Sequence, residues 1–272
     1  MDFLPKGLPM SKVVILCGGY GTRIRDVADD LPKPLIPVGN FPILWHIMKY
    51  YASYGHKEFV LCLGDKAHLI KEFFLNYQTR TSSLSLSLGD PSSLRYHHNH
   101  DESDWLVHLV DTGLDAMTGA RLRRIKDYIG DDQNFFLTYG DGVGDINLNA
   151  LAEFHKGHGR ILSVTAVHPP GRFGELELTQ TGQVKSFNEK PQVSEGRISG
   201  GFFLADRRIF EYLDDREDLV FEQEPVRQLV VANELMAYRH DGFWLPMDTY
   251  RDYRLLNDLY AKNQAPWINW KV

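Results

Sequence analysis

The chain reads as an α/β protein. We expect a mixed, mostly parallel sheet with helices on both faces and a smaller antiparallel addition. Three observations predict it. Apolar strand-like runs alternate with helical patterns through the first half of the 272 residues, the order that builds a parallel sheet covered on both sides. The first apolar run stops at three glycines within four residues, a strand-to-loop junction suited to phosphate. Three strand-like runs in the second half follow one another without long helices, which suggests antiparallel pairing.

Taken in order, residues 1–11 read as an N-terminal extension and 12–272 as one domain, a size a single core can support. A strand is expected over 12–17. Pro42 suits the first turn of a helix that runs to Tyr54 and stops at Gly55. A strand over 58–63 and a helix over 66–77 follow, then a strand over 105–110. Thr118 is read as the cap of a helix reaching Ile129. A strand over 135–139, a helix over 148–155 and a strand over 161–167 continue the alternation. Strands over 175–178, 184–188 and 198–204 form the antiparallel part. Helices are expected near 208–213, 224–232 and 249–262.

Residues 78–104 stand apart as a polar insertion. Serine alternates with leucine up to Ser87, and His97, His98 and His100 lie beside acids. Their spacing fits no established ligand motif, so a polar surface excursion is the expectation, with a lid or an oligomer contact as other uses.

Bulk properties narrow the function. Hydrophobic content of 43% and charged content of 24% are those of an ordinary globular protein. A net charge of −6 without a basic run argues against a nucleic-acid partner. No apolar stretch is long enough to span a bilayer, and the N-terminus does not read as a secretory signal. Cys17 and Cys62 sit in apolar runs and read as buried thiols in a reducing, cytoplasmic setting.

Six segments carry chemistry. Gly18-Gly19-Tyr20-Gly21-Thr22-Arg23 lets backbone N–H groups and a cation approach a polyphosphate. It is not a P-loop, which would end in Gly-Lys-Ser/Thr, and Ile24 breaks a dinucleotide fingerprint. Lys33, held between Pro32 and Pro34, is a stiffly presented cation. Asp141, between Gly140 and Gly142 at a strand end, suits Mg²⁺, and Asp248 supplies a second carboxylate. Glu189 and Lys190 pair a group for sugar hydroxyls with one for phosphate. Arg121, near the start of a helix, makes an anion site. Each of those after the glycine loop has a plainer reading too: a Pro-rich surface turn, a Gly-Asp-Gly turn, a helix N-cap for Asp248, a solvated pair, a capped helix.

Together these segments resemble the sugar-1-phosphate nucleotidyltransferases, and within them the subgroup that joins CTP to glucose 1-phosphate. The subgroup's phrases recur as Pro42-Ile43-Leu44-Trp45-His46-Ile47-Met48, Thr138-Tyr139-Gly140-Asp141-Gly142-Val143, Pro170-Gly171-Arg172-Phe173-Gly174, Glu222-Gln223-Glu224-Pro225, Pro246-Met247-Asp248-Thr249 and Ala265-Pro266-Trp267. The resemblance runs from about Lys12 to Trp270. It implies a Rossmann-like nucleotidyltransferase fold and the reaction of CTP with glucose 1-phosphate to CDP-glucose and pyrophosphate. It implies catalytic roles for Arg23 and Lys33. Leu16, Gly18, Gly19, Gly21, Thr22, Arg121 and Gly140 would hold the nucleotide. Gly174, Glu189, Lys190 and Ser199 would hold the sugar phosphate, and Asp141 and Asp248 would hold Mg²⁺. A homo-oligomer is also implied.

The chain departs from the pattern at three places. Ser199 replaces an asparagine on the sugar side, Ala120 replaces a second glycine, and Leu31 replaces a lysine. These leave the reaction type in place but leave room for UTP or dTTP and for another sugar or non-sugar phosphate; a sugar-nucleotide-binding regulator without turnover is the rival from another class.

Overall fold

The computed structural model describes residues 11–19, 30–97, 100–169, 175–178, 183–188 and 196–270. A seven-stranded sheet carries the chain. Its strands are β1 (Val13–Leu16), β2 (Glu58–Leu63), β3 (Leu106–Asp111), β4 (Asn134–Tyr139), β5 (Leu162–Val167), β6 (Ile198–Asp206) and β7 (Leu235–Arg239). Across the sheet they stand in the order β7-β5-β6-β4-β1-β2-β3. β1 pairs in parallel with β2 and β4, β2 with β3, and β5 with β7. β6 alone runs against its neighbours β4 and β5.

The strands are apolar on both sides because both faces are covered. Val13 and Ile15 pack into one core, Val14 and Leu16 into the other. Phe59, Leu61 and Leu63 of β2 oppose Val60 and Cys62 in the same way. The helices are α1 (Ile43–Ser53), α2 (Ala67–Leu75), α3 (Tyr77–Thr81), α4 (Thr118–Arg124), α5 (Lys126–Ile129), α6 (Leu148–His158), α7 (Glu224–Val231) and α8 (Tyr250–Ala261). α1 buries nine of its eleven residues against the first core. Cys17 and Cys62 are buried free thiols, and burial pushes both pKa values up.

Several expectations need correction. β6 belongs to the main sheet rather than to an addition. Its residues from Gly200 to Asp206 are buried, which places it between partners on both edges. The antiparallel addition is the hairpin of Glu175–Leu178 with Val184–Asn188. β7 is a further strand: Leu235-Met236-Ala237-Tyr238 is a short apolar run without alternation, and its edge position leaves all its side chains partly or fully exposed. The helix expected over 118–129 is broken at Ile125, and Met117 stands at its N-cap. Pro42 is likewise the N-cap of α1 rather than part of its first turn.

The polar insertion contains a hairpin, Leu84–Ser87 with Asp90–Tyr96. It is tied back at Glu102, which accepts from Lys49 Nζ at 2.5 Å and from the Tyr77 hydroxyl at 3.0 Å. Lys49 in turn lies over the rings of Trp45 and Trp105. Among the described residues no three His, Cys, Asp or Glu side chains gather as a metal site. No described helix is long and apolar enough to cross a membrane.

The strand order reverses between β1 and β4. In open α/β sheets ligands bind outside the carboxyl ends of strands at such a switch point. Gly18 and Gly19 follow β1 there, and Gly140 and Asp141 follow β4. The two ends are joined by Gly140 N–H donating to Leu16 O at 3.0 Å.

Candidate active site

Lys33 enters the site on a single 3₁₀ turn, Lys33–Leu35, closed by Leu35 N–H to Pro32 O at 2.8 Å. The extended presentation expected of it is kept only by Pro32. Pro34 fits this turn because an early turn position leaves its missing N–H without consequence. The Lys33 ammonium donates to Asp141 Oδ2 at 2.5 Å and to Asp248 Oδ1 at 2.6 Å. All three side chains are largely buried. Burial alone would lower the lysine pKa; the charges and hydrogen bonds of Asp141 and Asp248 outweigh it, and the net shift is upward. Lys33 is therefore a fixed positive charge.

A short strand pair brings the two carboxylates together. Gly142–Gly144, directly after Asp141, pairs antiparallel with Trp244–Pro246, directly before Met247 and Asp248. Met247 N–H then donates to Asp141 O at 2.8 Å. Asp248 does not cap α8. Thr249 does so, in a capping box with Asp252. The structural explanation for Asp248 thus falls to its neighbour, and the Asp248 carboxylate is left facing Lys33.

Arg121 is buried, and its guanidinium is spent on carbonyls. Nη1 donates to Leu63 O, Gly113 O and Thr112 Oγ1 at 2.9, 2.7 and 2.9 Å; Nη2 donates to Gly18 O and Leu114 O at 2.9 and 3.1 Å. A side chain at Gly18 or Gly64 would collide with the guanidinium. The arginine thus sits between two glycines and ties the loops after β1, β2 and β3 to one point. Gly140 is also confined: a Cβ there would press on Cys17 Sγ at 3.1 Å and on Leu16 O and Pro34 Cγ at 3.2 Å.

Two cavities meet here. One, of about 350 Å³, is lined by Leu16, Gly18, Gly19, Lys33, Arg121, Gly140, Asp141 and Asp248 among others. The other, of about 220 Å³, is lined by Ser199, Gly200, Gly201 and Trp244. Tyr139, Asp141 and Asp248 belong to both. Gly21, Thr22, Arg23, Gly174, Glu189 and Lys190 lie outside the described residues. Sequence reasoning missed Tyr139, Trp244 and the wall of Leu114, Asp115 and Met117. Leu114 and Met117 are 55% and 49% exposed, an apolar surface open to a flat ligand. No single-residue pattern marks these positions; Tyr139 and Trp244 do stand within two residues of elements already quoted for their glycines and carboxylates.

Two glycines after β1 at the switch point, a largely buried lysine and two converging carboxylates are an arrangement suited to nucleoside polyphosphates. The chain belongs to the nucleotidyl transferase family, whose model matches residues 12–263. It is 45% identical over 260 residues to a glucose-1-phosphate cytidylyltransferase of Salmonella typhi, covering 96% of this chain and 100% of the relative. The corresponding protein of Salmonella typhimurium matches at the same identity and coverage. In fold, the chain is similar to the crystal structure of HddC from Yersinia pseudotuberculosis complexed with GMP-PN. The TM-score is 0.65 at 21% identity, over 92% of this chain and 100% of that one.

Proposed function

We propose that the protein transfers the cytidylyl group of CTP to glucose 1-phosphate, giving CDP-glucose and pyrophosphate. The observation that carries this reading is the pair of cavities sharing Asp141 and Asp248 beside Lys33, on a chain whose relatives along nearly its full length bear that name. Two substrates need two pockets and one shared point of reaction, and the geometry has that form.

The chemistry asks little of the protein beyond alignment and charge. A sugar 1-phosphate is already an anionic nucleophile, and attack in line on the α-phosphorus expels pyrophosphate. The larger cavity takes the nucleotide: Gly18 and Gly19 admit the triphosphate, a role that the sequence motif extends to Gly21, Thr22 and Arg23. Lys33 meets the charge that grows on the α-phosphoryl oxygens, and Arg23 the leaving pyrophosphate. Leu16, Gly140 and the loops clamped by Arg121 form the nucleotide's walls. The smaller cavity takes the sugar, with Ser199 lining it; Gly174, Glu189 and Lys190 are assigned to the sugar phosphate by their sequence motifs alone.

The donor set fits a divalent cation. Asp141 and Asp248 both reach one cationic atom, and Mg²⁺ typically takes one or two carboxylates and leaves its other positions to phosphate and water. When bound, it would offset triphosphate charge. Family membership also supports a homo-oligomer, placed in the cytoplasm where nucleotide substrates are made.

The test is pyrophosphate release with Mg²⁺ across CTP, UTP and dTTP, each with several hexose 1-phosphates. CTP with glucose 1-phosphate should give the highest kcat/KM. A higher value for another pair would replace these substrates, and no release with any pair would refute the enzyme.

A further inference from the structure

Tyr139 is the last residue of β4 and lines both cavities. Its ring lies against Gly201, whose φ is +72° and where a Cβ would collide with it. On a further side it meets Phe203 edge-on, with centroids 6.0 Å apart. Its hydroxyl donates to Glu222 Oε1. The other carboxylate oxygen of Glu222 accepts from Thr118 Oγ1 at 2.7 Å, and that hydroxyl accepts from Phe221 N–H at 2.9 Å. Thr118 lines the larger cavity alone, and Glu222 lines neither. Burial and the adjacent Glu222 carboxylate push the phenol pKa up, so Tyr139 stays a donor in this chain of bonds.

We propose that Glu222 is a positioning residue: it locks Tyr139, the wall common to both cavities, to Thr118 of the nucleotide-side wall, and so sets the alignment of the two substrates. The inference rests on the proposed transfer reaction. Three facts support it. Tyr139 is the one aromatic side chain shared by the two cavities among the described residues. Its ring position is fixed on one side by a glycine that admits it. Its hydroxyl is fixed by a carboxylate that reaches it from the Glu222-Gln223-Glu224-Pro225 segment, outside both cavities. Glu222 lines neither cavity, and its contacts with the site run through Tyr139 and Thr118. Thr118, read from sequence as a helix cap, has this other task.

In-line attack is sensitive to such a wall, because a misplacement of about 1 Å costs on the order of a hundredfold in rate. Steady-state pyrophosphate release and thermal melting of Glu222→Ala, Glu222→Gln, Tyr139→Phe and the double variant Tyr139→Phe/Glu222→Ala provide the test. Glu222→Ala and Tyr139→Phe should each lower kcat by about ten- to a hundredfold, with both KM values within about threefold of wild type. Glu222→Gln keeps an acceptor for the phenol and should recover most of the rate. The double variant should be no slower than the worse single one, because both changes break one linkage. Melting temperatures should stay near wild type, since Glu222 is exposed. Three results would each overturn the inference: single variants within about twofold of wild-type kcat, losses that multiply in the double variant, or rate losses that track lowered melting temperature. Absence of release by the wild-type enzyme would instead remove the reaction, and the inference with it; failure confined to the variants leaves the reaction standing.

Discussion

Lys33 and Arg121 are both cations at the ligand end of the sheet, and they are used in opposite ways. Lys33 faces two carboxylates in a space open to substrate; Arg121 faces carbonyl oxygens and holds loops. Lys33→Ala should lower kcat by about two orders of magnitude, as loss of a transition-state charge contact commonly does. A rise in KM at unchanged kcat would move Lys33 from the reaction to binding. Arg121→Ala takes the arginine donor from the buried Gly18 O and from the part-buried Gly113 O and Leu114 O, while Leu63 O keeps its bonds from Thr112; a buried acceptor left unsatisfied costs about 1–3 kcal/mol. The variant should therefore lower the urea midpoint as well as activity, and unfolding curves that overlay wild type would contradict the clamp. Lys33 and Asp141 were legible because proline and glycine beside a charge are unusual and point to presentation. The clamp was not legible, because nothing in Arg121's own neighbourhood says that Gly18 and Gly64 will close around it.

Among the elements, the most informative is the three-residue pairing of Gly142–Gly144 with Trp244–Pro246. It fixes Asp248 beside Asp141 although the two are far apart in sequence. Gly144 has no room for a side chain: a Cβ would strike Ile146 and approach Phe243 O at 3.0 Å. Gly144→Val should separate the strands and move the carboxylates apart. Mn²⁺ binding followed by electron paramagnetic resonance should weaken, and unchanged affinity would show that the pairing does not set the carboxylate spacing. The long elements of the first half were legible from their apolar periods. Strands of two or three residues have no period to read, and β7 at the sheet edge is a short apolar run, Leu235 to Tyr238, with no alternation. For the same reason β6 could be recognised as a strand but not placed: a continuous apolar run marks burial on both faces without naming its neighbours.

For the whole molecule, three buried histidines set a limit on acid tolerance. Burial lowers the pKa of His46, His56 and His155 to about 4. His46 shows why: one ring nitrogen lies 2.8 Å from Val38 O, and the other accepts from Trp267 Nε1 at 3.4 Å, an arrangement that needs the neutral ring. In the unfolded chain these rings protonate near pH 6.5. Between about pH 6.5 and 4 the unfolded state therefore binds more protons, so stability is full above that window and is lost as pH falls through it. Each histidine contributes a slope of up to about 1.4 kcal/mol per pH unit. Urea unfolding at pH 7 and pH 5 should show the drop, and His46→Gln should reduce the difference between the two. A difference unaltered in that variant would assign the acid sensitivity to other groups.

The reversed strand has a consequence for how the protein is made. β4 is in place beside β1 once residues up to Tyr139 have been synthesised, yet its other edge is completed only by β6, which begins at Ile198. During that interval Phe135, Phe136 and Leu137 present an open apolar edge, the kind of surface that pairs with other chains. Ribosome-bound chains stalled before Ile198 should recruit chaperone and aggregate on release, and chains extended past Asp206 should do so much less.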